Sequence, residues 1–197
     1  MLNYKGQSLQ DAFAYEITGN NGTYIEIGAA FPVTGSNTYA LEVDKNWRGF
    51  SIELNKSHYE GYWNQCPERK NQIYWANALT FDYAEALQAN DMPKHVNYLS
   101  CDIEPPFNTF LALQRVIDQG ITFDCITFEH DLYCNPTPNY NQIGTEYLSS
   151  KGYKPAVINV HEGTSLHYET WFVKNSIEYD IIDFNLWVAK TLNKEIK

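Results

Sequence analysis

Residues 24–30 read Tyr24-Ile25-Glu26-Ile27-Gly28-Ala29-Ala30. A short apolar run carries an acid near its end, then gives way to a glycine and two small residues. A loop follows and leads to Ser36. This is the strand–turn–helix pattern that opens an α/β sheet. In an open parallel sheet, ligands bind outside the carboxyl ends of the strands, where the strand order reverses. The small residues let a ligand approach the backbone, and the acid can meet a cation or accept hydrogen bonds. A second run, Phe50-Ser51-Ile52-Glu53, also ends in an acid. At that distance from the glycine turn, a carboxylate is placed to accept from both hydroxyls of a ribose.

The rest of the chain continues the alternation. Strands are predicted over 23–28, 49–53, 72–75, 96–101, 122–128, 153–160 and 167–173. Tyr98-Leu99-Ser100-Cys101 and Cys125-Ile126-Thr127-Phe128 read as strands covered on both faces. Helices are predicted over 8–17, 36–44 with Ser36 as N-cap, 56–65, 80–88 with Thr80 as cap, 107–119 ending before Gly120, and 139–150 ending before Gly152. Short runs alternating with helical periods imply a mainly parallel sheet with helices on both faces. The turn at His161-Glu162-Gly163-Thr164-Ser165 lacks a helix, so the sheet is expected to close with an antiparallel hairpin. One domain over 1–197 is expected, with a core of about 20–174. The tail 177–197, apolar at Ile181, Ile182, Phe184, Leu186, Trp187 and Val188, packs on that domain or on a partner.

The chain has 197 residues, 44% of them hydrophobic, which suits a globular fold. A formal charge of −10 disfavours a long phosphate backbone as partner, since that affinity comes from Lys and Arg. There is no run of about 18 apolar residues to cross a membrane and no signal-peptide pattern. Cys66, Cys101, Cys125 and Cys134 form no C-x-x-C pair. These features imply a cytoplasmic, reduced protein with structural cysteines.

The turn Gly28-Ala29-Ala30-Phe31-Pro32-Val33-Thr34-Gly35 lacks the G-x-G-x-x-G that a dinucleotide's phosphates require. S-adenosylmethionine has no phosphates and does not need it. Here the sequence resembles a known family. Glu26-Ile27-Gly28-Ala29, Ser36-Asn37-Thr38 with Leu41-Glu42, and Trp47 through Asn55 look like the first third of an FkbM-type methyltransferase. Asn97 through Glu104 resembles its fourth strand and Asp-x-Glu. Phe123 through His130 resembles its fifth strand and Glu-His. Gly152-Tyr153 and Glu169 through Val173 resemble its closing strands.

The resemblance implies a Rossmann-like class I methyltransferase fold with seven strands, the last antiparallel, and S-adenosylmethionine as cofactor. It implies that Glu26, Gly28 and Ala29 face the methionine part and that Glu53, followed by Leu54, holds the ribose. Asn77 and Ala78 would flank the adenine, and Asp102 would lie near the sulfonium. Ser36, Asn37 and Thr38 would shape the loop beside the cofactor. The chain departs from the family at Phe31-Pro32 and at Pro105-Pro106. An O-directed transfer to a small-molecule or sugar-containing acceptor is the implied activity. A degenerate binding module and an NAD-linked oxidoreductase are the alternatives.

Asp102, Glu104, Glu129, His130 and Asp131 fall at the carboxyl ends of neighbouring central strands. His130 has the ordinary pKa best suited to take a hydroxyl proton. Asp102 or Glu104 does so if burial raises its pKa. A divalent cation held by Asp102, Glu129 and His130 is a further possibility, as is a structural Glu129-His130 pair. His161 and His167 either line the acceptor mouth or are ordinary surface histidines. Tyr59, Tyr62, Trp63 and Trp75 are core residues or stack on an adenine or sugar. The loop Asn135-Pro136-Thr137-Pro138-Asn139-Tyr140 is a candidate lid.

Overall fold

A computed structural model describes residues 3–134, 136–163 and 166–195. Eight strands form one sheet: β1 (Thr23–Ile27), β2 (Arg48–Glu53), β3 (Gln72–Trp75), β4 (His95–Cys101), β5 (Thr122–Glu129), β6 (Tyr153–Val160), β7 (Glu169–Lys174) and β8 (Ile182–Asp183). Their order is β3-β2-β1-β4-β5-β7-β6-β8. The first five run parallel, and β7 lies antiparallel to both β5 and β6. The expected Rossmann-like sheet is present with one strand more than expected. The extra strand comes from the tail, where Ile182 and Asp183 pair in parallel with Val157 and Ile158.

The alternation within β1 divides the core. Ile25 and Ile27 belong to one apolar cluster with Phe50, Leu99 and Ile126. That cluster is covered by α4 (Tyr83–Ala89), α5 (Pro106–Asp118) and α6 (Tyr140–Ser150), through Leu87, Leu113 and Leu148. Tyr24 joins the opposite cluster with Tyr98 and Trp171. There α1 (Gln10–Thr18), α2 (Tyr39–Lys45) and α7 (Phe184–Glu195) supply Phe13, Leu41 and Trp187. The remaining helix, α3 (Lys56–Gln65), follows β2 and supplies Tyr62, buried with Ala29 and Ile73.

Several predicted helix starts move. α2 begins at Tyr39, although Ser36 Oγ still accepts from the Tyr39 N–H at 3.2 Å. α4 is capped by Asp82, whose Oδ1 accepts from the Glu85 N–H at 2.9 Å, and not by Thr80. An ionised carboxylate at that position also meets the positive end of the helix dipole. α5 starts at Pro106, a position where the missing N–H costs nothing. The departure at Pro105-Pro106 is therefore a helix start.

The tail packs on the domain. Trp187 is 2% exposed and meets the Trp171 ring edge-on at 4.9 Å. Its Nε1 donates to Glu16 Oε2 at 3.1 Å. Among the described residues no helix is long and apolar enough to cross a membrane. Cys66, Cys101 and Cys125 are buried, and no disulfide joins described residues.

Truncating Trp187 to Ala removes a buried aromatic that ties α7 to the sheet. Such changes cost about 3–5 kcal/mol, so the Trp187→Ala protein is expected to melt roughly 6–20 °C lower. Thermal unfolding followed by circular dichroism checks this. A melting point within about 2 °C of the wild type would mean that α7 is not part of the cooperative core.

Candidate active site

β1 and β4 are neighbours, but their connections leave in opposite directions, β1 toward β2 and β4 toward β5. A cleft of about 710 Å³ opens at the carboxyl ends beside this switch point. That volume suits a small-molecule ligand. Gly28 sits at its base with φ +90°, and a Cβ there would lie 1.8 Å from the Asp102 carbonyl oxygen. Only glycine allows β1 and β4 to end this close together.

Five of the predicted cofactor residues line the cleft with Gly28: Glu53, Leu54, Asn77, Ala78 and Asp102. Glu53 is 8% exposed. Its Oε2 accepts from the Ala30 N–H at 2.8 Å and its Oε1 from the Asn55 N–H at 2.6 Å. Each oxygen keeps a second lone pair for a ligand hydroxyl. Asn77 Oδ1 accepts from the Leu79 N–H at 2.9 Å, which fixes the turn and leaves its amide donors. Ile52, Leu79 and Ile103 supply apolar wall. Asp102 and Glu104 close the other end, and among the described residues no Lys or Arg lines the cleft.

Other predicted residues lie elsewhere. Glu26, Ser36, Asn37 and Thr38 are buried on the α2 side of the sheet and do not line the cleft. The sequence reading missed their organiser, Arg69, which is 1% exposed. Its Nε donates to Glu42 Oε2 at 2.8 Å. One Nη donates to the Pro32 carbonyl at 3.1 Å and to Ser36 Oγ at 3.0 Å. The other donates to Thr38 Oγ1 at 2.7 Å and to Tyr24 Oη at 3.2 Å. Glu26 is 4.0 Å away and accepts from Ser51 Oγ at 2.6 Å. Burial raises the Glu26 pKa, while Arg69 works against the rise. Asn37 Nδ2 donates to Ser100 Oγ at 3.0 Å. Ala29 is buried against Tyr62 and Ile73. These residues hold the loop after β1 from beneath. Arg69 lies in a polar connection, Cys66-Pro67-Glu68-Arg69-Lys70-Asn71, where an arginine reads as solvated.

The acidic group at the ends of β4 and β5 does converge. Burial raises the Glu129 pKa, and the hydrogen bond and charge of Asp102 raise it further. Glu129 therefore favours its neutral form. Glu169, opposite Glu129 in the β5–β7 ladder, is raised to about 8. Burial is the main cause; the hydrogen bond from Trp171 opposes it and Asp102 adds to it.

His130 differs from the expectation. It is fully buried and does not line the cleft. Its Nδ1 accepts from the Leu132 N–H at 3.3 Å, and Nε2 lies 3.1 Å from Thr170 Oγ1. Burial lowers its pKa to about 3. With both nitrogens engaged and no tendency to protonate, His130 is a positioned neutral ring and a poor base. The same bonds remove it as a ligand for a cation shared with Asp102 and Glu129. Among the described residues no group of three or more His, Cys, Asp or Glu side chains is arranged to hold a metal ion.

His161 and His167 sit together on the β6–β7 turn, their rings 6.1 Å apart, and His161 Nε2 lies 3.2 Å from Asn185 Oδ1. Tyr62 is buried beneath Arg69, whereas Trp75 is 53% exposed and stacks with Tyr59 at 6.3 Å. The Trp63 side chain, Thr164, Ser165 and Asn135 of the candidate lid lie outside the described residues.

No family model matches the chain, and no curated protein sequence matches it. Solved structures share its fold. A Clostridium thermocellum protein described as an rRNA-methylase superposes with a TM-score of 0.61 at 9% identity, covering 88% of this chain and 98% of that one. A Klebsiella pneumoniae protein described as an O-methyltransferase gives 0.58 at 10% identity, covering 86% and 80%. Aeropyrum pernix fibrillarin, with natively bound S-adenosyl-L-methionine, gives 0.57 at 12% identity, covering 88% and 76%. The chain therefore has the class I methyltransferase fold.

Two outcomes follow from this geometry. Gly28→Ala forces the Asp102 backbone aside and strains a left-handed residue by about 1–3 kcal/mol before any clash. The variant is expected to melt lower and to lose ligand binding in the cleft, read by thermal unfolding and calorimetry. Glu169 gives a pH test. Its folded pKa of about 8 exceeds its ordinary value of 4.5. The folded state therefore holds a proton that the unfolded chain releases, and that stabilisation is lost as pH rises through 8. His130 is neutral in both states above about pH 6.5. The melting point is expected to fall between about pH 6.5 and 8.5, with a shallower slope in Glu169→Gln. Equal slopes in the two proteins would refute this.

Proposed function

We propose that the chain is an S-adenosylmethionine-dependent methyltransferase acting on an oxygen of a small acceptor. The observation that carries the reading is one cleft at the switch point with Glu53 at the end of β2, Asp102 at the end of β4 and, among the described residues, no Lys or Arg in its lining. A dinucleotide would bring a pyrophosphate, which seeks cations and helix N-termini. A sulfonium cofactor brings positive charge, which acidic walls favour. The donor set fits it: Glu53 offers two oxygens for a ribose, and Asn77, Ala78 and Leu79 offer a polar and apolar surface for a base. FkbM-type membership remains what the motifs suggest.

When bound, the cofactor supplies a methyl group activated by the sulfonium. The chain's residues do the rest. Gly28 lets the ligand reach the backbone between β1 and β4. Glu53 and Asn77 fix its orientation, so that the acceptor oxygen approaches in line. The hydroxyl proton goes to Asp102, which lines the cleft, because His130 is buried with both ring nitrogens engaged and Glu129 keeps its own proton. The fold is shared with proteins described as acting on rRNA, but a net charge of −10 favours a small acceptor over a polyanion. The chain would then work in the cytoplasm.

Titration with S-adenosylhomocysteine, S-adenosylmethionine and NAD tests the cofactor class. A ligand at about 100 times its Kd stabilises by ~2.7 kcal/mol, which is a rise of roughly 5–10 °C here. The two sulfur ligands are expected to give that rise and NAD none. Glu53→Gln should weaken S-adenosylhomocysteine binding about 10–100-fold, the value of hydrogen bonds to a charged group. Stabilisation by NAD alone would refute the reading.

A further inference from the structure

We infer that His58 binds the ligand together with Glu53, through one ligand hydroxyl that both side chains hold. The inference rests on the methyltransferase reading, in which that hydroxyl belongs to the cofactor ribose. It adds a residue that sets the specificity for that hydroxyl.

Two segments of chain build this corner of the cleft. Asn55 caps α3, its Oδ1 accepting from the Ser57 N–H at 2.9 Å, and so places His58 in the first turn, close to the end of β2. His58 and Glu53 both line the cleft. The Glu53 carboxylate is fixed, because the Ala30 and Asn55 N–H groups hold one oxygen each. The His58 ring is fixed from its other side by the Phe31 ring, 5.1 Å away and tilted by 45°. Phe31 precedes Pro32, whose carbonyl accepts from Arg69 at 3.1 Å. The departure from the family pattern at Phe31-Pro32 thus joins the loop after β1 to the start of α3.

The gap between the two side chains points to a ligand. His58 Nδ1 lies 4.0 Å from Glu53 Oε1. That is too long for a hydrogen bond, but one oxygen atom at about 2.8 Å from each fits between them. The Glu53 carboxylate only accepts, so the bridging oxygen must donate to it. The negative charge of Glu53 favours the ring form with a proton on Nδ1, so the same oxygen must also accept. A hydroxyl does both; an ether or carbonyl oxygen cannot donate. The pair therefore selects a hydroxyl, and its bond to the carboxylate is the stronger half of the bridge.

Calorimetry on the full chain at pH 7.5 tests this with S-adenosylhomocysteine and its 2′-deoxy and 3′-deoxy analogues. His58→Phe keeps a ring against Phe31 and removes both nitrogens. His58→Asn keeps a donor where Nδ1 stands. The His58 side chain is 33% exposed, so neither change empties the core, and the melting points check that. The wild type is expected to bind one of the two analogues on the order of tenfold or more weakly. His58→Phe should weaken S-adenosylhomocysteine about three- to tenfold and leave that one analogue unchanged. His58→Asn should recover most of the loss. Equal weakening of all three ligands in His58→Phe would show that His58 only shapes the cleft. Unchanged S-adenosylhomocysteine affinity, or a wild type indifferent to both hydroxyls, would show that no hydroxyl is held there. Each of these results overturns the inference and leaves the methyltransferase reading standing. If S-adenosylhomocysteine fails to bind the wild type, that reading falls and takes the inference with it.

Discussion

The loop after β1 is held in place by one buried cation. Arg69 comes from the connection between α3 and β3 and reaches under the sheet edge to Pro32, Ser36, Thr38 and Glu42. Burial works against its charge, but Tyr24, Tyr62, Glu26 and Glu42 outweigh that, so the guanidinium stays protonated. Its planar fork satisfies five acceptors at once, which a lysine cannot do. A buried ion pair of this kind adds little net stability over an apolar replacement. What it does is orient. It ties β1, α2 and the α3–β3 connection to one geometry, and so decides where the backbone from Gly28 to Ser36 runs. Removing one partner would leave an uncompensated buried charge, so the network is kept or lost as a unit.

That orientation matters because the cleft has almost no tolerance at its base. The Gly28 position is fixed from below by the loop and from the side by the Asp102 carbonyl. Glu53 then clamps the loop from above through the Ala30 N–H. The cleft floor is therefore braced on three sides, by an arginine, a carbonyl and a carboxylate, before any ligand arrives. Such bracing fixes the cleft floor in one geometry, which lets a ligand bind without first ordering the loop.

Much of this was legible in the sequence. The β1 and β2 motifs placed Gly28 and Glu53 in relation to each other because strand ends in a parallel sheet share one edge, and the family resemblance implied Asn77 and Ala78 beside them. Seven strands were legible from their apolar runs. The eighth was not, since two residues carry no period. Arg69 was not legible because sequence gives its polar neighbours and not the carboxylates it meets across the fold. The Ser36-Asn37-Thr38 motif was visible, but its hydroxyls turn toward Arg69, under the loop.

His130 shows why residue type alone misassigns a base. Its ordinary pKa suits the task, but that value belongs to a solvated ring. Burial takes away the water that stabilises the imidazolium, and among the described residues no carboxylate accepts from the ring in exchange. The same burial acts on carboxyls in the opposite sense, because it disfavours the charged form in both cases. It makes His130 less basic and makes Glu129 and Glu169 more so. The chain thus moves proton-accepting capacity from its histidine to its acids. An acidic protein does this without added positive charge, since a neutral carboxylic acid beside a carboxylate relieves the repulsion that two ionised acids would create. The crowding of acids at the ends of β4, β5 and β7 is thus what holds Glu129 and Glu169 in their neutral forms near neutral pH.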